Sequence, residues 1–456
     1  MARSLLFASL LFLSALPSPA QYCLTHINIV DVETGGILQN RTVCIRGNRI
    51  TEISSRPDGN PATLVYDCTG KYLMPGLWDM HIHDAGDDSS NRFEYVPLFL
   101  VNGVTGIRDM WGEPEMLQLK ADIDSGRFVG PRMVIGSPIV EGDKSFWRGS
   151  LKATTANRGR FLVDSLMKRG YDFIKIYSLI PDSVYFAIAD ECKRKNIPLE
   201  GHLPITVRLE QAIDAGQRSF EHNFGINIYL TGQETGKLQW AAQYLDTFHR
   251  PNNGSFMVHG EPLGVTESDF HLPPAMQDKM IKLRVAIVPT LTITRGYGIK
   301  SEIMAGRTKG LEYLTAGFVD SWMKKTPEFP PELTRTYGAA AKFLANKGIL
   351  ILAGTDVNNP FCVAGFGLHQ ELINLRDAGL TNLQVLQSAT LNPARFLFRE
   401  KELGTVTTGK LADLLILEDN PLTDVVNTQK INAVIVNGKY LSKEDLGQML
   451  AAQKKR

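Results

Sequence analysis

Leu73-Met74-Pro75-Gly76-Leu77-Trp78-Asp79-Met80-His81-Ile82-His83-Asp84 decides how the rest of the chain is read. After the Pro-Gly break the residues suit an extended strand, in which side chains alternate between two faces. Asp79, His81 and His83 then share one face, and Trp78, Met80 and Ile82 share the other. The apolar face can pack. The polar face presents two imidazoles one strand repeat apart, close enough to share a divalent cation. An isolated His-x-His triplet is also compatible with two hydrogen-bonded histidines of no special role, so the remaining donors have to come from elsewhere in the chain.

Working outward, eight strand-like segments are separated by helix-like ones. The strands fall at about 77–84, 104–110, 132–138, 172–178, 197–203, 218–223, 285–291 and 348–356, with helices at 182–195, 206–216 and 332–347 among the connections. This alternation predicts parallel α/β architecture, and eight units over this length predict a (β/α)8 barrel spanning 75–401. Before it, Cys23–Val30, Thr42–Ile45 and Arg49–Ile53 read as strands; after it, so do Ala412–Leu417 and Ala433–Lys439. A composite β-sandwich of residues 21–74 and 402–442 is therefore expected, assembled from both chain ends. The stretches 224–273 and 292–330 read as irregular loops, placed where a barrel carries its substrate pocket.

In the strand-end positions the chain places His81 and His83 (first strand), Lys175 (fourth), His202 (fifth), His222 (sixth) and Asp356 (eighth). Lys175 sits between Ile174 and Ile176 and would point inward, which is costly for an uncompensated cation. Singly, each residue has a bland explanation: a polar rim histidine, a turn-capping aspartate, a surface lysine. Jointly they form an ordered set on five of the eight strand ends, where barrel enzymes collect catalytic groups. His26, His249, His259, His271 and His369 fall elsewhere and read as structural or loop residues.

The chain resembles the amidohydrolase superfamily, specifically its binuclear imidazolonepropionase-like and prolidase-like members with a bridging lysine. The resemblance lies in Met74–His83, in Gly354-Thr355-Asp356, in Ser388–Ala394 and in Gly404–Leu414. It implies that His81, His83 and Asp356 hold one metal and His202 and His222 a second. It also implies that Lys175, carboxylated by carbon dioxide, bridges the two and that Asp356 shuttles the proton. Two divalent ions, zinc fitting the donors best, are the expected cofactors. Tyr177, Arg148, Arg295 and Tyr297, with Trp147, are expected to line the pocket. The implied reaction is cleavage of a C–N bond by activated water, on N-acyl amino acids or Xaa-Pro dipeptides. The alternatives are a cyclic amide, imidazolone or lactone hydrolase with the same metals, and a non-catalytic binding barrel.

Bulk properties narrow the partners. With 49 Lys+Arg against 48 Asp+Glu among 456 residues, the formal net charge is +1, and nothing in that balance suggests nucleic acid or an anionic membrane surface as a partner; a small-molecule substrate is what the resemblance implies. A homo-oligomer is compatible with the sequence. The opening Met1-Ala2-Arg3-Ser4, the apolar run Leu5–Leu16 and the small residues Ser18 and Ala20 read as a secretory signal. Cleavage after Ala20 would deliver the protein, free of the membrane, to the periplasm or the medium. Export permits disulfides. Of the five cysteines, Cys23, Cys44 and Cys68 lie on early strands and one pair among them could be bridged.

Overall fold

The computed structural model describes residues 21–55, 64–83, 95–145, 147, 149–247, 260–298, 308–325 and 330–454. The proposed signal segment, Arg148, His249 and His259 lie outside these residues, and of Tyr297 only the backbone is described.

The chain ends share one sheet. Its strands are β1 (Tyr22–Asp31), β2 (Gly36–Arg46), β3 (Arg49–Ser54), β4 (Leu64–Asp67) and β5 (Tyr72–Pro75). The middle of the chain supplies β6 (Leu77–Ile82), β7 (Val104–Asp109), β8 (Arg132–Ile135), β9 (Val140–Glu141), β10 (Leu151–Lys152), β11 (Ile174–Ile176), β12 (Leu199–Gly201), β13 (Gln217–Glu221), β14 (Ala286–Val288) and β15 (Leu350–Ile351). Then β16 (Leu414–Leu417), β17 (Ile431–Val436) and β18 (Lys439–Leu441) return to the first sheet. Its order is β18-β17-β16-β5-β1-β2-β3, with β4 on β1. Alternating apolar residues of these strands, among them Leu24, Ile27, Ile29, Val43, Leu414, Ile416 and Ile435, bury a core of their own. Cys23 stands opposite Cys44 in the β1–β2 register, and those two are the bridged pair; Cys68, Cys192 and Cys362 are free and buried.

The middle strands are short and parallel, and most are buried on both faces, as parallel strands covered by helices require, even where they carry Asp79, His81 or Lys175. They form a three-stranded sheet β6-β7-β8 and a seven-stranded sheet β10-β9-β11-β12-β13-β14-β15. Backbone hydrogen bonds cross both seams. Asp172 N–H donates to Ile135 O (2.7 Å) and Ser137 N–H to Phe173 O (2.9 Å) at one; Met80 N–H donates to Ala353 O (2.9 Å) at the other. Every expected middle strand is present, although shorter than its sequence pattern. The helices Asp182–Lys195, Leu209–Ala215 and Pro331–Asn346 also fall where expected.

Two expectations are corrected. The stretches 224–273 and 292–330 are substantially helical among the described residues: Ile226–Leu230, Glu234–Thr247, Leu291–Gly298 and Ala316–Lys325. Ile226–Leu230 and Leu291–Gly298 are too short to show a sustained 3.6-residue apolar period and are held by tertiary packing more than by propensity, so their pattern reads as loop.

The sheet of the chain ends is tied to the parallel strands at Asp413. Its carboxylate accepts from Arg132 Nε and from Asn437 N–H, while its carbonyl accepts from Gly76 N–H (2.8 Å), the residue between β5 and β6. His369 makes a second tie. Its buried ring lies 3.0 Å from Asn102 O and 3.0 Å from Thr428 Oγ1, joining the helix Phe366–Asp377 to two distant segments.

Two outcomes follow. Replacing Cys23 and Cys44 together by serine removes a cross-link over 21 residues and should lower unfolding free energy by about 3 kcal/mol, read by denaturant titration. Non-reducing peptide maps should join these two cysteines; free thiols at both would refute the pairing. Burial pushes His369 down to about 4, below the value near 6.5 of an unfolded histidine. The unfolded chain therefore binds the extra proton between those values, so this group's contribution is complete above pH 6.5 and is lost as pH falls toward 4. His369→Asn should flatten the acid limb of the stability curve in that window by roughly 3 kcal/mol; unchanged slopes would refute it.

Candidate metal centre

The site is built where β6, β11, β12, β13 and β15 end. Gly354 lies so close to β6 that a Cβ there would stand 2.8 Å from His81 Cβ and 2.9 Å from His81 N. Glycine thus lets the segment carrying Asp356 lie against the His81 backbone, and Thr355 N–H (3.1 Å) and Asp356 N–H (2.7 Å) both donate to His81 O. Asp79 locks this junction from beneath, its carboxylate accepting from Thr355 N–H at 3.0 Å and from the Thr355 hydroxyl at 2.6 Å.

Three of the expected ligands converge. His81 Nε2 lies 3.3 Å and His83 Nε2 3.0 Å from Asp356 Oδ1, and the two ring nitrogens are 3.2 Å apart. The donor atoms of His81, His83 and Asp356 all fall within 4.8 Å of one another. His222 joins through its Nε2, 3.7 Å from Asp356 Oδ2, and its ring centroid is 4.6 Å from that of His81. His202 continues the row with its ring 4.9 Å from that of His222. Lys175 is fully buried, and its Nζ has no hydrogen-bond partner. Burial lowers it to about 8, against the pull of Glu221 and Asp356.

Each of three rings is held by its Nδ1, which leaves Nε2 directed at the cluster. His81 Nδ1 is 2.7 Å from Glu221 Oε2, His202 Nδ1 is 2.8 Å from Ser178 Oγ and His222 Nδ1 is 2.7 Å from Thr290 Oγ1. Fixing one ring nitrogen sets the tautomer and the aim of the other, the usual arrangement behind a metal-ligating histidine. Glu221 is in turn gripped by Arg108, which also donates to Glu200 Oε2 (2.7 Å), Ser219 Oγ (3.1 Å) and Met80 O.

The electrostatics match a cation site. Burial pushes His222 down to about 3 and His202 well below the usual range, keeping both neutral and able to donate a lone pair. At His81 burial works against the cation, but Asp356 and Glu221 outweigh it and raise the ring. Burial alone would raise Asp356; the charge of His81 overcomes it and keeps the carboxylate ionised. Asp356 Oδ1 faces two imidazoles yet makes no hydrogen bond. Buried nitrogen and carboxylate donors, one enclosed amine and an unmatched oxygen fit divalent metal.

The expected pocket residues divide. Tyr177 is buried with its ring 3.9 Å from that of His202. Trp147 is exposed and lies edge-on to Trp111, which is edge-on to His83. Arg295 donates to Asn374 Oδ1 (2.8 Å), a contact that secures the helix Leu291–Gly298 against Phe366–Asp377. Arg108, Glu200, Glu221, Ser178 and Thr290 were not anticipated. The one available signal was charge inside strand runs, Arg108 in Thr105-Gly106-Ile107-Arg108-Asp109 and Glu221 in Ser219-Phe220-Glu221.

Comparison with known proteins agrees with this geometry. Residues 300–441 match the model of the Amidohydrolase family. An adenine deaminase from Ruegeria sp. is 21% identical over 431 residues, covering 93% of this chain and 58% of that protein. The chain spans about half the length of the curated relatives it matches. A Bifidobacterium longum protein described as a prolidase is 22% identical with a TM-score of 0.69, covering 96% of this chain and 100% of that one. Bottromycin amidohydrolase is 23% identical with a TM-score of 0.70, covering 96% and 91%. At these identities the likeness is one of fold, a TIM-barrel-type α/β architecture. The segment that meets the family model also carries Asp356, the carboxylate on which the histidines converge.

Proposed function

We propose that this protein is an exported metal-dependent hydrolase that cleaves a C–N bond of small N-acyl amino acids or Xaa-Pro dipeptides. The work is done on a closed (β/α)8 barrel of residues 75–401, beside an accessory β domain built from 21–74 and 402–442. The observation that carries the reading is the meeting of His81, His83 and Asp356 beside a buried lysine whose amine has no partner. The prolidase-like solved structures favour an amide next to a carboxylate as substrate.

His81, His83 and Asp356 would hold one divalent ion and His202 and His222 a second, zinc suiting these donors best. Two such ions, when bound, supply acidified water and a polarised carbonyl. Lys175 reacts through its neutral amine: the nitrogen bonds the carbon of carbon dioxide, a proton leaves to solvent, and the cation becomes an anionic oxygen donor. Asp356 accepts the proton of the attacking water and returns it to the nitrogen of the leaving amine as the C–N bond breaks. Tyr177 packs on His202 and keeps that ring in place.

Metal-loaded protein should hydrolyse members of a panel of N-acyl amino acids and Xaa-Pro dipeptides in preference to lactones and adenine, followed by release of the free amine; no hydrolysis of any amide would refute the reading. Lys175→Ala should lose bound metal and turnover together, and short carboxylic acids should restore part of both. Full metal content with normal turnover would remove the bridging role. Glu221→Gln should weaken metal binding about 10- to 100-fold while the fold persists, read by chelator competition; undiminished affinity would deny its hold on His81.

A further inference from the structure

Exposure of the converging side chains shows on which side the site opens. His81 is 0% exposed, Asp356 and His222 are 6% exposed, and His83 is 20% exposed. Ligands and substrates therefore reach the centre past His83. The next group outward is Trp111, edge-on to His83 with centroids 6.2 Å apart, and beyond it Trp147, edge-on to Trp111 at 6.0 Å and 43% exposed.

The backbone at Trp111 is constrained. Trp111 N–H donates to Asp109 Oδ1 (2.8 Å), and Gly112 N–H donates to Gly136 O (3.1 Å). Any side chain at position 112 would strike that carbonyl, since a Cβ would stand 2.2 Å from it. Trp147 O accepts from Ser150 N–H (3.3 Å) and from Ser145 Oγ (3.2 Å). A large ring left in water beside a reactive centre gains free energy when another apolar group covers it, and aromatic pairs add directional attraction. Anchors whose positions are already set lose little entropy on doing so.

We propose that Trp111 and Trp147 form an aromatic subsite at the mouth of the centre, which seats an aryl or bulky apolar group on one side of the scissile amide. This rests on the hydrolase reading above and narrows it: the substrates are amides carrying such a group, rather than small polar dipeptides.

The test uses the full metal-loaded chain and two non-hydrolysable acids, 3-phenylpropanoate and propanoate, with binding followed by calorimetry. The phenyl acid should bind about tenfold more tightly, and Trp147→Ala and Trp111→Ala should each erase most of that difference while leaving propanoate unchanged. Trp147→Phe should retain it. If Trp111→Ala does not fold, judged by circular dichroism, the exposed Trp147 variant decides. Equal affinity of the two acids for the unaltered protein, or equal loss for both in the variants, overturns the subsite. Turnover of the amide panel is read separately. A phenyl preference without hydrolysis supports the subsite and removes the hydrolase reading, whereas hydrolysis without a phenyl preference does the reverse.

Discussion

The buried guanidinium of Arg108 is the contact on which the site depends. It lies at 0% exposure and donates to Glu200 and Glu221, to the hydroxyl of Ser219 and to the carbonyl of Met80. Removing it would leave Glu221 with only His81 and the Ser219 hydroxyl, and Glu200 with only Arg218 at 3.7 Å; breaking a buried pair in this way costs about 3–5 kcal/mol. An apolar set of similar volume would serve stability as well or better. What the charged set does that an apolar one cannot is hold Glu221 as an anion, its carboxyl far below the usual range despite burial. An anionic Glu221 accepts a hydrogen bond from the Nδ1–H of His81, which leaves the Nε2 lone pair free with its direction set. The chain of cause runs from a charge buried among the parallel strands, through a carboxylate, to the aim of an imidazole nitrogen.

Much of this was legible in the sequence, and the limit has a physical form. Local order survived translation into structure. The alternation of apolar runs with turn residues located eight of the ten middle strands, missing only the two-residue β9 and β10, and the strand-end positions of His81, His83, His222 and Asp356 predicted their convergence. Pairings across long separations did not show. Arg108 meets Glu221 across 113 positions, and Asp79 meets Thr355 across 276. Nothing in either local pattern names the other. The disulfide is the same problem in small: three cysteines on early strands left the pair open until the β1–β2 register set Cys23 against Cys44. Arg295 is a further case, its guanidinium meeting Asn374 across 79 positions.

Backbone strain collects at the same strand ends. His222, Asn223, Thr290 and Asp356 all have positive φ, at 62°, 57°, 48° and 60°. For residues with a Cβ this conformation is unfavourable, by of order 1–3 kcal/mol each, and persists only where surrounding contacts over-determine it. Those contacts are visible. The Asp356 amide is bonded to His81 O, the His222 amide to Val288 O, and the His222 ring to Thr290. The strained residues include two expected ligands and the hydroxyl that orients one of them. A relaxed, extended backbone would carry these side chains along the strand direction; the left-handed turn folds them back over the strand ends. Rigidity on this inner side contrasts with the opening at His83. Asp356 and His222 are held from behind and closed to solvent, so chemistry can be set by position there. Discrimination between substrates is left to what lies outward, where the walls are Trp111 and Trp147 and where a side chain can change without disturbing the charges beneath.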